Sequence, residues 1–408
     1  MTRTSHLDSR YSWARLGVTL LIALMLNVGM WSVIVVMPAV QAEFGIDRAE
    51  ASIPYTFTMF GFALGNLLIG RAVDRFGVAW SMIGAAVLAA LSYVLVALSG
   101  SVMAISGLHF FLGFGTAAGF GPLIADISLW FHRRRGLAVA IAASGNYLSG
   151  AIWPIVLSGL LASQGWRAVY LVLAVLIAVT VVPLSLLLRR RAPLETETEA
   201  TAPHGVAARR GRAFSPTALQ WLLGLAGIGC CVAMAMPQVH IVAFCVDLGY
   251  GPAVGAEMLS LMLLGGVASR LVSGLLADRL GGVVTLLLGS ALQCLALFLY
   301  LPYDGLVPLY VISLIFGLSQ GGIVPAYAVI VREYMPAREA GARVGFVMMA
   351  TILGMALGGW MAGWIHDVSG SYQLAFVNGI LWNLLNIAVM VVILRRGRGG
   401  SAAAVRMA

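Results

Sequence analysis

Lysine is absent from this chain of 408 residues, and all 25 of its basic side chains are arginines. Charged residues of every kind make up only 10% of the sequence, against about 25% in a typical soluble domain, whereas hydrophobic residues make up 61%. A soluble protein of this length would need more polar surface, but lipid covers the outside of a membrane protein. The composition therefore excludes an ordinary soluble globule and predicts an integral membrane protein.

Cysteine is also scarce, and its four copies indicate neither a disulfide framework nor a metal site. Cys230, Cys231, Cys245 and Cys294 all lie in apolar runs, and no pair has metal-ligand spacing. We expect them to be small buried hydrophobic side chains. No glycine cluster resembles a phosphate-binding loop and no Walker motif is present, so we expect no cofactor, no metal and no ATP-driven cycle.

Apolar segments long enough to cross a bilayer, about 20 residues each, recur twelve times. A polar segment, 189–213, predicts a linker between an N-terminal half, 1–188, and a C-terminal half, 214–408. The pattern predicts an all-α membrane protein whose twelve transmembrane helices form two six-helix halves. The predicted spans lie near 15–40, 51–72, 79–98, 102–127, 136–161, 167–188, 216–245, 254–277, 282–301, 306–330, 341–364 and 373–394.

The arginines are distributed unevenly between the two sides of the predicted membrane. With the N-terminus placed in the cytoplasm, 22 fall in inner loops and tails, and only Arg48 and Arg167 fall in outer loops. By the positive-inside rule, this predicts a multi-pass protein of the plasma membrane, most simply a bacterial inner membrane, with both termini cytoplasmic. The same placement explains the net charge of +9 without a nucleic-acid partner.

An eight-residue segment occurs twice, as GRAVDRFG at 70–77 after the second span and as GLLADRLG at 274–281 after the eighth. The two copies are 204 residues apart, and such an offset indicates an internal repeat of the two halves. The shared positions are Gly70, Asp74, Arg75 and Gly77 in the first copy and Gly274, Asp278, Arg279 and Gly281 in the second.

This doubled G-x-x-x-D-R-x-G loop resembles the signature of the major facilitator superfamily, and the resemblance covers residues 15–396. It implies the major facilitator fold and a secondary carrier whose functional unit is a monomer. It also implies that the aspartate and arginine of the loop clamp neighbouring helix ends and act as a gate on the inner side. The basic residues that usually end the motif are replaced here by Val78 and Ala79.

A narrower resemblance is carried by three segments. Residues 130–146, WFHRRRGLAVAIAASGN, look like the fifth-span motif of the monocarboxylate transporter family and its bacterial relatives, which include oxalate/formate exchangers. Residues 237–244, PQVHIVAF, are similar to the seventh span of the bacterial members. The first-span motif is present only in part, at 27–31.

Arg270 is the one arginine outside every predicted loop. It lies in the apolar run 258–277, about 12 Å from the predicted cytoplasmic end, where a charge costs at least about 2.5–3.5 kcal/mol. The only acidic residue predicted near its depth is Asp126, so we expect a substrate carboxylate to be its counter-ion. The resemblance implies the same role, because an eighth-span arginine anchors the carboxylate in that family.

The charge of the substrate is constrained by the eleventh span. Oxalate exchangers of the family add a basic residue there, whereas 345–354 contains none. A dianion would keep one uncompensated charge, which favours a short monocarboxylate such as lactate, pyruvate or acetate. The partners expected are therefore a small organic anion, protons and the lipid bilayer.

His240, just after Pro237 on the seventh span, matches a binding-site histidine of the family, and a histidine can bond to a substrate or carry a proton. Animal members couple protons through a first-span lysine and an aspartate one turn before the eighth-span arginine; this chain has no lysine, and Gly266 takes the aspartate's place. The usual proton route is therefore missing, and either His240 carries the proton, or a proton travels with the substrate carboxylate, or the protein exchanges anions. We expect proton symport and keep carboxylate exchange of the oxalate/formate type as the alternative.

Asn27, Asn146 and Tyr327 complete the predicted substrate-binding set, although each could equally bond to a neighbouring helix. A transporter-like membrane sensor is the alternative from a different class. An enzyme is not expected, because the sequence shows no acid/base dyad or nucleophile elbow.

Overall fold

The computed structural model describes residues 7–190, 214–335 and 339–406, so most of the predicted linker, 191–213, lies outside it. The regular structure of these ranges is entirely helical. The described residues form helices α1 (Arg10–Leu26), α2 (Val28–Phe44), α3 (Arg48–Phe76), α4 (Val78–Ala97), α5 (Val102–Thr116), α6 (Gly121–Ser128), α7 (Arg135–Leu186), α8 (Pro216–Asp247), α9 (Pro252–Leu280), α10 (Gly282–Leu299), α11 (Leu306–Gln320), α12 (Ile323–Tyr334), α13 (Ala340–Ser369) and α14 (Gln373–Arg406).

Eleven segments of the described chain are long and apolar enough to cross a membrane. One of them, Gly136–Leu186, has 51 residues and would be about 76 Å long if straight, more than twice the thickness of a bilayer core. Its backbone leaves helical geometry at Gly165, where φ is 78°, a value that glycine adopts without strain. The segment therefore holds two spans, and the prediction of twelve is confirmed.

Three spans are interrupted where the sequence predicts continuous helices. The first breaks at Asn27 between α1 and α2, the fourth at a 3₁₀ turn, Ala117–Gly119, between α5 and α6, and the tenth at 321–322 between α11 and α12. The second and third breaks are separated by the 204-residue offset of the repeat. At membrane depth, backbone N–H and C=O groups that leave the helix must bond within the protein or line a cavity. The three breaks therefore need hydrogen-bond partners from neighbouring segments or a polar cavity.

The chain divides into two compact units. The first contains residues 7–190 together with Val239–Leu264, and the second contains 214–238 together with the described residues from 265 onward. The end of α8, from residue 239 onward, and the first part of α9, up to residue 264, therefore pack with the N-terminal helices. The domain boundary at 189–213 stays a prediction.

The side of the first unit that carries the N-terminus is held together by Arg15, which is only 2% exposed. Its Nε and Nη2 donate to both carboxylate oxygens of Asp126 at 2.8–3.0 Å. Its Nη1 donates to the carbonyl oxygens of Leu188 and Arg190 at 3.3 and 3.1 Å. One buried guanidinium thus joins the start of the first span, the end of the fourth and the end of the sixth.

The segment before α1 also binds the loop between the fourth and fifth spans. The Asp8 carboxylate accepts hydrogen bonds from the backbone N–H groups of His132, Arg133 and Arg134 at 2.9–3.3 Å. Burial raises the pKa of Asp8, but these three hydrogen bonds outweigh it, and the pKa lies below its ordinary value. The loop WFHRR is therefore fixed by a charged carboxylate from the N-terminal segment.

Candidate substrate site

Arg270 lies on α9 and is half-buried. Its Nε donates to the carbonyl oxygen of Gly321 at 3.3 Å, which places the guanidinium beside the break in the tenth span. A hydrogen bond to a backbone carbonyl orients the side chain but does not neutralise its charge. The cation predicted from sequence is therefore held at a point where backbone polar groups are also present.

The break and α9 approach each other very closely. A Cβ atom on Gly321 would overlap the carbonyl oxygen of Gly266 and lie 2.8 Å from the backbone nitrogen of Arg270. Only glycine at 321 allows this contact. The position where animal transporters of the resembled family carry an aspartate is thus part of a tight backbone contact in this chain.

The repeat supplies an internal comparison for Arg270, because Asn66 occupies the equivalent position of the first half. The Asn66 Oδ1 accepts a hydrogen bond from the backbone N–H of Gly121, at the end of the break in the fourth span, at 3.1 Å. Both side chains thus contact the break in a neighbouring span of their own half. The first half uses a neutral amide there, and the second uses a cation.

A pair of glutamines lies next to this point. Gln320, the last residue of α11, accepts at its Oε1 a hydrogen bond of 2.5 Å from Nε2 of Gln238 on α8. Both side chains are buried, and Nε2 of Gln320 has no hydrogen-bond partner among the described residues. A buried donor of this kind costs about 1–3 kcal/mol, so it calls for an acceptor. Gln238 was missed from sequence, where only its position beside Pro237 could have pointed to it.

His240 is buried, with 1% of its surface exposed. It follows Gln238 by two residues on α8, so helical periodicity turns the two side chains about 160° apart. The described contacts therefore bring Gln238 to the break beside Arg270 and leave the role of His240 as a prediction.

Tyr327 is fully buried, and its hydroxyl donates to Oδ1 of Asn386 at 2.8 Å. The Nδ2 of Asn386 in turn donates to Oγ of Ser290 at 2.7 Å. This chain of bonds joins the ninth, tenth and twelfth spans. The hydroxyl predicted to bind substrate is thus part of an interhelical network.

Asn27 and Asn146 are brought together around the first span. The Nδ2 of Asn27 donates to the carbonyl oxygens of Ala23 and Gly119 at 2.7 and 2.9 Å and so ties the break in the first span to that in the fourth. The half-buried Asn146 donates to Sδ of Met30 at 3.4 Å, and its carbonyl accepts from the Trp31 indole at 3.1 Å. Asn27 has a positioning role in these contacts, and Asn146 presents the more accessible amide.

The two copies of the repeated loop have the same backbone. Gly77 has φ 84° and ψ 162°, and Gly281 has φ 82° and ψ 164°, so both positions require glycine. The charged pairs Asp74–Arg75 and Asp278–Arg279 are exposed, whereas a Cβ on Gly70 or Gly274 would meet nothing within 4 Å. The gating role of these residues stays a prediction.

Glu333 was not identified from sequence and lies beside the second copy of the loop. Its two carboxylate oxygens accept from the backbone N–H of Gly282 at 3.1 and 3.2 Å. A carboxylate is favoured at the N-terminus of a helix such as α10. The described contact at this helix start is therefore made by Glu333, from the end of the tenth span.

On the side opposite the N-terminus, the helices of the first unit are joined by an ion pair and an apolar cluster. Arg48 Nη2 lies 2.7 Å from Oδ1 of Asp247, with the arginine side chain 7% exposed. Met37, Ala51 and Ala243 form an apolar cluster in the same unit. These contacts join the start of α3 to the last turns of α8.

Comparison with known proteins places these observations in a family. The model of the Major Facilitator Superfamily matches residues 19–307 and 242–406. Monocarboxylate transporter 13 of Rattus norvegicus is 28% identical over 80% of this chain and 78% of its own length. Monocarboxylate transporter 11 of Homo sapiens is 30% identical over 76% of this chain and 67% of its own.

A solved structure gives the same picture of the fold. The bacterial homolog of the human lysosomal transporter Spinster, in an inward-facing and occupied conformation, aligns with a TM-score of 0.68 at 14% identity, covering 98% of both chains. At this identity the similarity establishes the fold alone.

Proposed function

Because this chain belongs to the major facilitator superfamily and is similar to its monocarboxylate transporters, we propose that it carries small monocarboxylates by alternating access. It is a multi-pass membrane transporter and not an enzyme. The substrates proposed are lactate, pyruvate or acetate, carried together with a proton. The proposal includes a monomeric functional unit in a bacterial inner membrane with both termini cytoplasmic.

The observation that carries the proposal is the position of Arg270. A guanidinium within an apolar span must face a cavity or a partner, and its planar fork matches a carboxylate through two parallel hydrogen bonds. The hydrogen bond from Nε to the Gly321 carbonyl orients this guanidinium at the break in the tenth span. A single basic residue, with none at 345–354 of the eleventh span, fits a monoanion better than a dianion.

Other residues have supporting roles in this proposal. Gln320 offers a buried amide N–H next to the carbonyl that Arg270 contacts, and Asn146 offers a half-buried amide from the fifth span. His240 is proposed to carry the proton. The Asp74–Arg75 and Asp278–Arg279 pairs are proposed to open and close access to the substrate site from the side of the membrane on which the termini lie.

The test is uptake of labelled lactate or acetate into proteoliposomes by the wild type, Arg270→Ala and Arg270→Lys. We expect Arg270→Ala to abolish uptake and Arg270→Lys to raise the KM, because an ammonium cannot make the paired contact. Arg10→Ala, at the exposed arginine that begins α1, is the matched control. Undiminished uptake by Arg270→Ala would eliminate the anchoring role.

Carboxylate exchange is the second candidate, because Gly266 and the absence of lysine remove the usual proton route of animal relatives. Counterflow separates the two. Trans-stimulation by a loaded carboxylate without any dependence on the pH gradient would favour exchange, whereas uptake driven by an inward proton gradient, lost in His240→Gln, would favour symport.

A further inference from the structure

Two adjoining cavities lie in the first unit, on the side that carries its N-terminus. The first, the head cavity, has a volume of about 650 Å³, and its lining includes Asp74, Gly77, Trp80, Asp126, Arg189 and Arg190. The second, the apolar groove, has a volume of about 480 Å³, and its lining includes Ile69, Phe76, Trp80, Gly84, Leu88 and Phe114. Phe76 and Trp80 line both, so the two cavities form one continuous surface.

The charge of the head cavity is positive. Asp126 is neutralised by its bidentate bond to Arg15, which leaves Asp74 facing the two cations Arg189 and Arg190. Both arginines are exposed at the end of the sixth span. The cavity therefore carries a net charge of about +1 and favours an anionic group.

The two arginines are exposed, but each one stacks on an aromatic ring. The guanidinium carbon of Arg189 lies 5.2 Å from the centre of the Trp80 ring, and that of Arg190 lies 5.1 Å from the centre of the Tyr11 ring. The buried Arg15 holds the backbone of this segment by donating to the carbonyl oxygens of Leu188 and Arg190. Such stacking and backbone bonding reduce the entropy lost when an anion binds.

The residues that line the apolar groove are suited to contact with lipid. Phe76 and Trp80 are 57% and 59% exposed, and aromatic residues at span ends are typical of the membrane interface. From Trp80 to Leu88 the groove follows α4 for about 12 Å into the span. A polar, cationic cavity continuous with an apolar groove matches an amphiphile with an anionic head.

We propose that this surface is a specific site for an anionic phospholipid of the leaflet on the side of the termini. The phosphate lies between Arg189 and Arg190, and one acyl chain follows the groove past Trp80 and Leu88. Because Asp74 and Gly77 line the head cavity, the bound head group contacts the first copy of the repeated loop. This inference is independent of the transported substrate.

The test is native mass spectrometry of the delipidated full-length protein titrated with phosphatidylglycerol. We expect Arg189→Gln/Arg190→Gln to raise the Kd roughly thirtyfold, since each basic residue near an anionic lipid is worth about 1 kcal/mol. Arg332→Gln/Arg395→Gln removes two exposed arginines of the second unit, outside both cavities, and should leave the Kd unchanged. Trp80→Ala should also weaken binding, through the groove.

Three ligands identify what the site recognises. Phosphatidylcholine should bind at least tenfold more weakly than phosphatidylglycerol, and diacylglycerol and glycerol 3-phosphate should not bind measurably. Equal Kd values for the cavity variant and the control, or equal binding of phosphatidylcholine, would overturn the proposal. Binding of glycerol 3-phosphate as tight as that of the lipid would also overturn it, because it would indicate a site for a free phosphate anion.

Discussion

Arg270 and Asn66 occupy equivalent positions in two repeats that have kept the same local structure. Each contacts the break in a neighbouring span, yet only one of them is charged. Such a difference within a repeat is expected where one half supplies the substrate anchor and the other supplies structure. Arg270 was recognisable from sequence because a charge in an apolar run is rare, whereas the Gln238–Gln320 bond was not, since 82 residues separate its partners.

Gly321 tests how closely α9 must approach the break. Gly321→Ala should lower the unfolding temperature, because the new methyl group overlaps the Gly266 carbonyl, and overpacking of this kind costs about 1–3 kcal/mol. The measurement is thermal unfolding followed by tryptophan fluorescence. Gly345→Ala is the control, since a Cβ there meets nothing within 4 Å. Equal unfolding temperatures in the two variants would mean that the contact is looser than described.

A substitution of Tyr327 distinguishes a structural role of its hydroxyl from a role in substrate binding. Tyr327→Phe removes the donor to Asn386 and should cost about 0.6 kcal/mol, and at most about 1.7 kcal/mol, as for other hydrogen bonds between membrane helices. We expect a lower unfolding temperature with an unchanged KM for the carboxylate. A KM raised severalfold at unchanged stability would instead show that the hydroxyl binds substrate.

At the scale of the elements, hydropathy located the twelve spans because each must be apolar for about 20 residues. The breaks in the first, fourth and tenth spans were not predicted. They depend on tertiary partners such as the Asn27 amide, which supplies bonds that no local pattern encodes. The doubled glycine loop was predicted from its repeat, but the carboxylate at the start of α10 comes from Glu333, 51 residues away.

The N-terminal segment should control the loop between the fourth and fifth spans. Asp8→Asn removes the negative charge and one of the two acceptor oxygens that serve the N–H groups of 132–134, so those amides should exchange with deuterium faster. Hydrogen exchange with mass spectrometry measures this directly. Asp367→Asn, at the end of α13, is the control, and equal protection of 132–134 in both variants would contradict the anchoring role.

The Arg48–Asp247 ion pair, on the side of the first unit opposite the N-terminus, gives a prediction for the contact between α3 and the end of α8. Arg48→Gln removes the ion pair with Asp247 and should favour opening there, so that the thiol introduced by Ala243→Cys reacts faster with an impermeant maleimide. The four native cysteines are replaced first. Arg167→Gln, which breaks the ion pair with Glu43 on the same side, is the control. An unchanged rate of labelling at position 243 would show that the pair does not limit opening.

On the scale of the whole molecule, a carrier fold is combined with an arginine within one span, Arg270, which we propose as the substrate anchor. The family and the fold follow from many weak signals along the chain, which is why they were predictable. The substrate depends on a few side chains in each half, and no sequence pattern fixes how their amides and guanidinium combine. The proposed lipid site adds a contact with the membrane at one end of the same fold.

The most direct measurement of the central claim is the ligand-induced thermal shift of purified protein against a panel of carboxylates. Lactate, pyruvate or acetate should raise the unfolding temperature of the wild type, and Arg270→Ala should abolish that rise while keeping the unliganded temperature close to the wild-type value. Oxalate and longer dicarboxylates should have little effect. A rise confined to dicarboxylates, or one that persists in Arg270→Ala, would contradict a monocarboxylate site anchored by Arg270.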